Sequence, residues 1–343
     1  MVKASTDAAR ADEPRADAAA PGTPARAEAA APATDAVAPH RIPPREWWPV
    51  LRRVGRHVLS DRLMVLAAGI SFFAVLSIAP VLVTAVSVYG AVNTPEQARE
   101  QLSSVARMLP PELEPLVADQ LETITAASTQ VLTVRGLSGL VVALWTATTA
   151  ATYLIDALTL AYHETETRGF LRRSGLALMF VLGGALVLGA VIAAVGAGSR
   201  ALDGIHGPVR DLAPVLLWLT LATLMAAVLA MLYRFAPDRK QARWRWISGG
   251  AAVATVLWLG TSVGLFAYVQ SLGSYESTYG SLAGVAISMF WLWISVLLVI
   301  VGAALNAEAE QQTVRDSTVG PEQPPGERGA VVADSAAPDA REH

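Results

Sequence analysis

Six long apolar runs follow one another along the chain, separated by short joints that hold most of the charged residues. Each run is largely uncharged and long enough for a helix of about 20 residues to cross the hydrocarbon core of a bilayer. The runs span residues 64–91, 136–160, 174–198, 212–235, 247–270 and 282–305. The pattern predicts an all-α fold, a polytopic membrane bundle of six transmembrane helices within residues 63–310.

A shorter segment before the first run, residues 41–62, has the pattern of an amphipathic helix. Trp47, Leu51, Val54 and Val58 fall on one helical face, and arginines fall on the opposite face. A helix of this kind lies in the plane of the membrane with its apolar face among the lipid headgroups. The sequence therefore predicts an interfacial helix on the inner leaflet. A surface helix packed on the bundle is the alternative.

Arginine and lysine are distributed unevenly between the two sides of the predicted bundle. Fourteen of them lie at residues 41–62, 168–173 and 234–245, on one side, and five lie in the opposite joints. Cytoplasmic loops of membrane proteins carry such an excess. We therefore expect both termini to be cytoplasmic.

The composition agrees with this architecture and narrows the chemistry. Hydrophobic residues make up 53% of the 343 residues and charged residues 16%, with a mean hydropathy of +0.42. A soluble domain usually carries about 25% charged residues. The chain has no cysteine, which excludes disulfides, iron–sulfur clusters and thiolate metal sites. Its net charge of −3 implies no nucleic-acid partner.

Three segments outside the spans differ in composition from the rest. Residues 1–40, rich in alanine and proline, and the tail at 311–343 show no apolar periodicity, so we expect both to be disordered. The joint at 92–133 is acidic and has apolar residues at helical spacing. It predicts a helical cap on the outer face, and a solvated cover without a ligand is the simplest interpretation of that cap.

Small residues recur along several runs and predict where helices approach each other. Gly189 lies in such a row in the third run, and Gly280 and Gly284 open the sixth. Rows of small residues let helix backbones come close together in lipid. Pro80, within the first run, predicts a kink in that helix.

Few residues near the spans could carry chemistry. Asp156, toward the cytoplasmic end of the second run, is a charge inside a membrane segment and therefore a functional hypothesis. Arg168 and Asn306 lie toward the same side. One interpretation pairs Asp156 with a nearby arginine that fastens the second run to the third. The other gives these residues a role in transport or gating.

Catalytic and metal-binding patterns are sparse. No histidine lies within ten residues of another, whereas metal sites usually draw on clustered histidines and acids. His163, Glu164 and Glu166 could hold a cation, but a solvated run of charges explains them better. Phosphate-loop, nucleophile-elbow and zinc-protease motifs are absent from the sequence. We therefore predict no catalytic residue, no bound metal and no cofactor.

The joint at 274–284, SYESTYGSLAG, is the most polar point near a span on the outer side. Gln270, Tyr275, Glu276 and Tyr279 cluster there. Tyrosines at a membrane interface are ordinary anchors. The alternative is a hairpin that dips into the bundle and lines an outward cavity, where protein or water covers the irregular backbone.

Four stretches of the chain carry a family likeness. They are AAGISFFAVLSIAPVL at 67–82, ALTLAYHETETRGFLRR at 157–173, LYRFAPD at 232–238 and the segment at 268–308. The last is the most specific, because SYxxTYGSL precedes a WLW helix and GAxLNAE. Together, over about residues 45–310, they resemble the YihY/BrkB family of bacterial inner-membrane proteins. Thr159 stands where that family usually has asparagine, and Ala304 where it usually has glutamate.

The resemblance implies a six-spanning protein of the bacterial inner membrane that acts in transport or envelope maintenance on an unknown cargo. A scaffold for envelope enzymes is an alternative. One branch of the family carries a virulence label, and an older label, ribonuclease BN, implies tRNA processing. The sequence shows no metal-ligand cluster or RNA-binding face for that activity, so we expect no enzyme. The expected partners are the lipid bilayer and either a second copy or an envelope protein.

Overall fold

The computed structural model describes residues 36–60, 62–92, 129–202, 208–271 and 281–335. Tyr275, Glu276, Tyr279 and Gly280 lie outside these ranges, and so does most of the predicted outer cap. The predictions made for those residues therefore stay predictions.

The described chain is helical throughout its regular structure. After a 3₁₀ turn at Pro39–Arg41 come α1 (Pro44–Ser60), α2 (Leu63–Val92), α3 (Thr129–Ala161), α4 (Phe170–Leu202), α5 (Pro208–Phe235), α6 (Trp244–Ser271), α7 (Ser281–Glu310) and α8 (Val331–Asp334). Within the described ranges, six helices, α2 to α7, are long and apolar enough to cross a membrane. The prediction of an all-α bundle with six candidate spans is confirmed.

Helix α7 lies at the centre of the packing. It contacts α1, α2, α3 and α6, while the most extensive helix pair is α2 with α3. Helix α5 packs on α6, and α4 packs on α3. The last helix along the membrane domain therefore organises the others.

Buried residues concentrate at one end of the bundle. The core combines the start of α2 and α6 with the end of α3, α5 and α7, as shown by Leu63, Ile155, Tyr233, Ile247 and Ile300, each at most 2% exposed. Leucine and valine side chains nearer the opposite end are largely exposed within the single chain. This distribution suits a bundle surrounded by hydrocarbon, because lipid gives no hydrophobic driving force for burying them. We call the buried end, with the joints and tails around it, the polar end.

Close helix contacts occur at particular glycines. A Cβ atom added at Gly139 of α3 would lie 2.7 Å from the hydroxyl oxygen of Thr84 and 3.3 Å from the carbonyl oxygen of Pro80, both on α2. Helix α2 continues through Pro80 without a break. A Cβ atom at Gly250 of α6 would overlap the carbonyl oxygen of Gly302 on α7. Both contacts need glycine because another residue would push the helices apart.

Gly189 meets no other described helix within one chain, so its predicted role in helix contact stays a prediction. A Cβ atom there would meet no other atom within 4 Å, so this part of α4 is not in close contact with a described helix. The reason is that α4 packs on α3 while the row that contains Gly189 is left uncovered. Gly284, at the start of α7, is half-buried.

The helix predicted at 41–62 packs on the bundle. Val50, Val54 and Val58 of α1 are at most 7% exposed and belong to the main core. Leu51, which the sequence placed on the apolar face, is 51% exposed, and Val50 takes its place. Trp48 remains 74% exposed. Helix α1 is therefore packed on the bundle, and its predicted place at the inner leaflet stays a prediction.

Residues 311–335 differ from the prediction of a disordered tail. The segment lies over the polar end, where Gln312, Thr313 and Thr318 are at most 2% exposed. Its backbone pairs with the joint between α5 and α6, since the amide of Val319 donates to Gln241 and the amide of Arg243 donates to Ser317. Composition gave no sign of this order because polar hydrogen bonds, and not an apolar stripe, hold the segment. We call residues 311–335 the C-terminal cap.

Candidate functional site

The last two turns of α7, and the second residue after that helix, carry a row of buried polar side chains. Asn306, Glu308, Glu310 and Gln312 are all at most 3% exposed. Buried polar groups are costly unless they are hydrogen-bonded. All four are hydrogen-bonded to other parts of the chain, so together they join the parts of the polar end.

Asn306 fastens α7 to α6. Its side-chain oxygen accepts the backbone N–H of Gly250 at 2.7 Å, and its amide nitrogen donates to the carbonyl of Ile247 at 3.0 Å. The same amide lies 3.4 Å from the hydroxyl of Tyr162. This satisfies the side chain at the point where the two helices come closest, and it explains the candidate residue as a structural one.

Glu308 joins α1 to the joint after α3. One carboxylate oxygen accepts the Nε–H of Arg53 at 2.6 Å, and the other lies 3.1 Å from Nε2 of His163. Arg53 also donates to the carbonyl of Glu308 and to the side chain of Gln312. The ring of His57, on α1, lies 4.1 Å from the ring of His163. Two histidines and an acid from three separate parts of the chain thus meet at one point.

Glu310 holds the joint between α5 and α6. Its carboxylate pairs with Arg239 at 2.6 Å and also accepts the hydroxyl of Ser317 from the C-terminal cap. The guanidinium of Arg239 lies 5.0 Å from the centre of the Tyr162 ring. Burial raises the pKa of the Tyr162 phenol well above its usual range, so that ring stays neutral.

Arg168 and Asp156 take part in two neighbouring ion pairs. The guanidinium of Arg168 donates to Glu166 at 2.7 and 2.8 Å and to the carbonyl of Ala236 at 2.7 Å. Asp156, on α3, accepts a hydrogen bond of 3.1 Å from Arg173 on α4. The hydrogen bond from Arg168 to Ala236 joins the joint after α3 to the joint after α5. The pair of Asp156 with Arg173 links the helices of the second and third spans, as the fastening interpretation of Asp156 requires.

The C-terminal cap is held by a buried arginine and an aspartate. The guanidinium of Arg328 donates to the carbonyls of Gln323, Ala333 and Val314. Asp316 accepts hydrogen bonds from the amide and hydroxyl of Thr318. These contacts close the segment on itself.

A second feature lies away from the polar end, at mid-height of the spans. A cavity of about 390 Å³ opens between α4, α5 and α6. Its wall is almost entirely apolar, formed by Gly184, Val187, Leu188, Val191, Trp218, Leu221, Ala222, Leu224, Met225, Val228, Thr255, Trp258 and Leu259. A cavity with few polar atoms and the volume of a small-molecule pocket suits a hydrocarbon occupant.

The candidate residues from the sequence are only partly brought together. Asp156, Arg168 and Asn306 all lie at the polar end, whereas Gln270 is exposed near the opposite end of α6. Thr159, one of the family departures, is buried and its hydroxyl oxygen lies 3.4 Å from the backbone N–H of Asp238.

Sequence reasoning missed His57, Arg53 and Arg239 as members of the site. His57 and His163 are separated by 106 positions, and Glu308 follows 145 positions after His163. No local spacing links them. The available signal was that His57, His163 and Glu308 all occur on the side predicted to be cytoplasmic.

These features define a multi-pass helical membrane protein whose polar end is closed by its own joints and tail. A model of the family described as "Virulence factor BrkB" matches residues 54–327, which is well over half of the chain. The chain belongs to this BrkB family, as the sequence likeness suggested.

Curated relatives agree with the family. The chain is 28% identical over 279 residues to the UPF0761 membrane protein RSc1559 of Ralstonia nicotianae, covering 77% of this chain and 60% of that protein. It is 24% identical over 263 residues to the UPF0761 membrane protein IL2447 of Idiomarina loihiensis, covering 76% of this chain and 90% of that protein. It is 28% identical over 175 residues to the "Putative ribonuclease-like protein YfkH" of Bacillus subtilis, covering 49% of this chain and 63% of that protein. The chain thus spans about three fifths of two of these relatives. No solved structure matches it.

Proposed function

We propose that this chain is a bacterial plasma-membrane protein of the transport class whose cargo has a large apolar part, such as a lipid or a lipid-linked molecule. The cavity between α4, α5 and α6 is the observation that carries the proposal. Envelope maintenance would follow from moving or holding such a molecule.

The position of the cavity supports a hydrocarbon occupant. Its lining residues fall near the middle of the candidate spans Phe170–Gly198, Leu212–Phe235 and Trp244–Gln270. At that depth the surrounding solvent is acyl chain and not water. An apolar recess there would take the tail of a lipid, because neither an ion nor a sugar would find polar partners in its wall.

The looseness of α4 supports movement of that helix. It packs on α3, and a Cβ atom at Gly183, Gly184 or Gly189 would meet no other atom within 4 Å. Because its extensive packing is with α3, α4 can shift against the pair of α5 and α6 more easily than α7 can. Opening or closing of the cavity would then require little rearrangement of the polar end.

The orientation is part of the proposal. The excess of arginine and lysine lies on the polar end, which we place in the cytoplasm together with both termini.

A scaffold role is the second candidate, and the uncovered row of small residues on α4 favours it. Small residues that meet nothing within one chain are suited to contact a helix of another chain. Crosslinking through a cysteine introduced at Gly189 in intact membranes would detect a second copy. Because the chain has no native cysteine, it could be crosslinked only through the introduced one.

We do not propose nuclease activity. The name of the Bacillus subtilis relative is ribonuclease-like, and the polar end does bring two histidines and an acid together. However, His57 is 6% exposed and Glu308 is 3% exposed, and both oxygens of Glu308 are engaged by protein groups. Neither Glu308 nor His57 therefore offers an open surface to a phosphodiester.

In the test, a large side chain is introduced to fill the cavity, and the lipid that stays bound to the protein is measured. Gly184 lines the cavity, and its neighbour Gly183 does not, although both have free space around them. We expect Gly184→Trp to lose most of the lipid that native mass spectrometry detects on the wild type, and the matched control Gly183→Trp to keep it. Equal lipid retention in both variants would contradict the proposal.

A further inference from the structure

We propose that His57, His163 and Glu308 form a binding site for one late first-row divalent metal ion, with Zn²⁺ as the best fit, which staples α1 to the bundle. The three residues come from the last turn of α1, the joint after α3 and the end of α7. Each offers one ligand atom, and these atoms all lie within 4.8 Å of one another.

The donor set fits the metal. Two imidazoles and one carboxylate are a recurrent set of protein ligands for Zn²⁺, at distances of about 2.0–2.2 Å. Bonds of that length around a tetrahedral ion separate neighbouring ligand atoms by about 3.4 Å. Nε2 of His163 and Oε1 of Glu308 are 3.1 Å apart, so this pair is already at the required spacing. The ligand atom of His57 lies within 4.8 Å of the other two.

The backbone at the end of α3 fixes the position of His163. Its φ is 57°, in the left-handed region, where residues other than glycine are uncommon. This conformation ends α3 and turns the ring toward Glu308. The turn is a helix C-terminal cap, since the amide of Glu164 donates to the carbonyl of Thr159 and the amide of His163 donates to the carbonyl of Leu160.

Glu308 is held from its far side. Its other oxygen accepts the Nε–H of Arg53 at 2.6 Å, so Oε1 points at His163. Metal-binding carboxylates are usually hydrogen-bonded in this way by a second group, which fixes their orientation. Arg53 also places a positive charge near the site, which weakens cation binding. We therefore expect the ion to bind reversibly.

The burial of the cluster indicates a structural role for the ion. His57 and Glu308 are buried, and the side chain of His163 is 29% exposed, which leaves an entry path for an ion but no room for a substrate. A metal there would connect α1, the joint after α3 and α7, which are far apart in sequence. Occupancy would add a second link between α1 and the bundle, beside the ion pair of Arg53 with Glu308.

The test measures metal on the full chain, expressed without a polyhistidine tag and purified in mild detergent. After treatment with a chelator the protein is dialysed against Zn²⁺ at a fixed free concentration, and the bound metal is counted by mass spectrometry. We expect one saturable ion per chain. His57→Asn and His163→Asn should each weaken it by more than the roughly 10–100-fold that loss of an outer-shell partner costs. The exposed His40 provides the matched control, and His40→Asn should bind as the wild type does.

A second measurement separates the metal site from a plain ion pair. Zn²⁺ should raise the midpoint of thermal unfolding of the wild type and of His40→Asn, but not of His57→Asn, and Co²⁺ should give the visible spectrum of a four-coordinate site. Wild-type protein that binds no Zn²⁺, or that binds it equally well with both histidines replaced, would overturn the proposal. Because the readouts are metal content and stability, they are independent of the lipid proposal.

Discussion

Arg239 and Glu310 form an ion pair of 2.6 Å in which only 3% and 1% of the two side chains are exposed. Because such a pair has given up its hydration, its two members depend on each other. Arg239 comes from the joint between α5 and α6, and Glu310 ends α7. The pair therefore fixes the joint against the helix at the centre of the bundle.

Removing one member of this pair should destabilise the folded protein far more than removing both. We expect Glu310→Gln to lower the free energy of unfolding by about 3–5 kcal/mol, because the Arg239 charge is left buried alone. Replacing both residues with methionine should restore most of that loss. Thermal unfolding in detergent measures both variants, and a double variant as unstable as the single one would show that the pair is not the cause.

The contact between α6 and α7 should tolerate no side chain at Gly250. A Cβ atom there would overlap the carbonyl oxygen of Gly302 and crowd the amide of Asn306, and neither backbone can move freely. We expect Gly250→Ala to reduce the folded protein recovered from membranes severely. The matched control is Gly249→Ala, whose Cβ atom would meet only Pro39, at an ordinary 3.7 Å. Similar yields of the two variants would contradict the described helix crossing.

The spans and the polar end differ in how far the sequence predicts them. Six apolar runs follow directly from the cost of placing polar groups in hydrocarbon, so the helices were predictable. The face of α1 was predictable only in part, because Val50 and Leu51 are both apolar and the pattern alone does not decide which one packs. The row of small residues on α4 shows the same limit, because small residues indicate close packing but do not indicate which helix is the partner.

The C-terminal cap and the histidine cluster could not be predicted from spacing. Arg328 binds three carbonyls, and Glu164 accepts the amide of Val331 from 167 positions away, so the cap is held by specific long-range hydrogen bonds. Such bonds leave no periodic trace in a sequence. Likewise, His57 and His163 become neighbours only once α1 is packed against the end of α3.

The C-terminal cap should loosen in acid. Burial acts to raise the pKa of Asp316, but the hydrogen bonds from Thr318 and Gln323 and the charge of Arg328 outweigh it, so the pKa is lowered. A carboxyl whose pKa is lower in the folded state stabilises that state at pH values above its ordinary pKa, near 3.9. That stabilisation disappears as the pH falls through the lowered value.

Hydrogen exchange over residues 311–335 measures this effect. We expect exchange in the wild type to rise as the pH falls from about 5 to about 2, after correction for the intrinsic rate. Asp316→Asn should exchange faster at neutral pH and should lose this pH dependence. Glu322→Gln, which changes an exposed acid of the same segment, is the control and should behave as the wild type does. An unchanged acid response in Asp316→Asn would assign the effect to other carboxyls.

The topology that we propose can be tested with single cysteines, because the native chain has none. Both termini and the polar end should lie in the cytoplasm, since the excess of arginine and lysine is on that side. Ala118→Cys and Glu276→Cys, in the predicted outer joints, should react with a membrane-impermeant thiol reagent in intact cells. Glu327→Cys, exposed on the C-terminal cap, should react only after the membrane is opened. Labelling of Glu327→Cys in intact cells would place the cap, and with it the polar end, outside. The assignment of the basic joints to the cytoplasm would then be wrong, although the six helices themselves would stand.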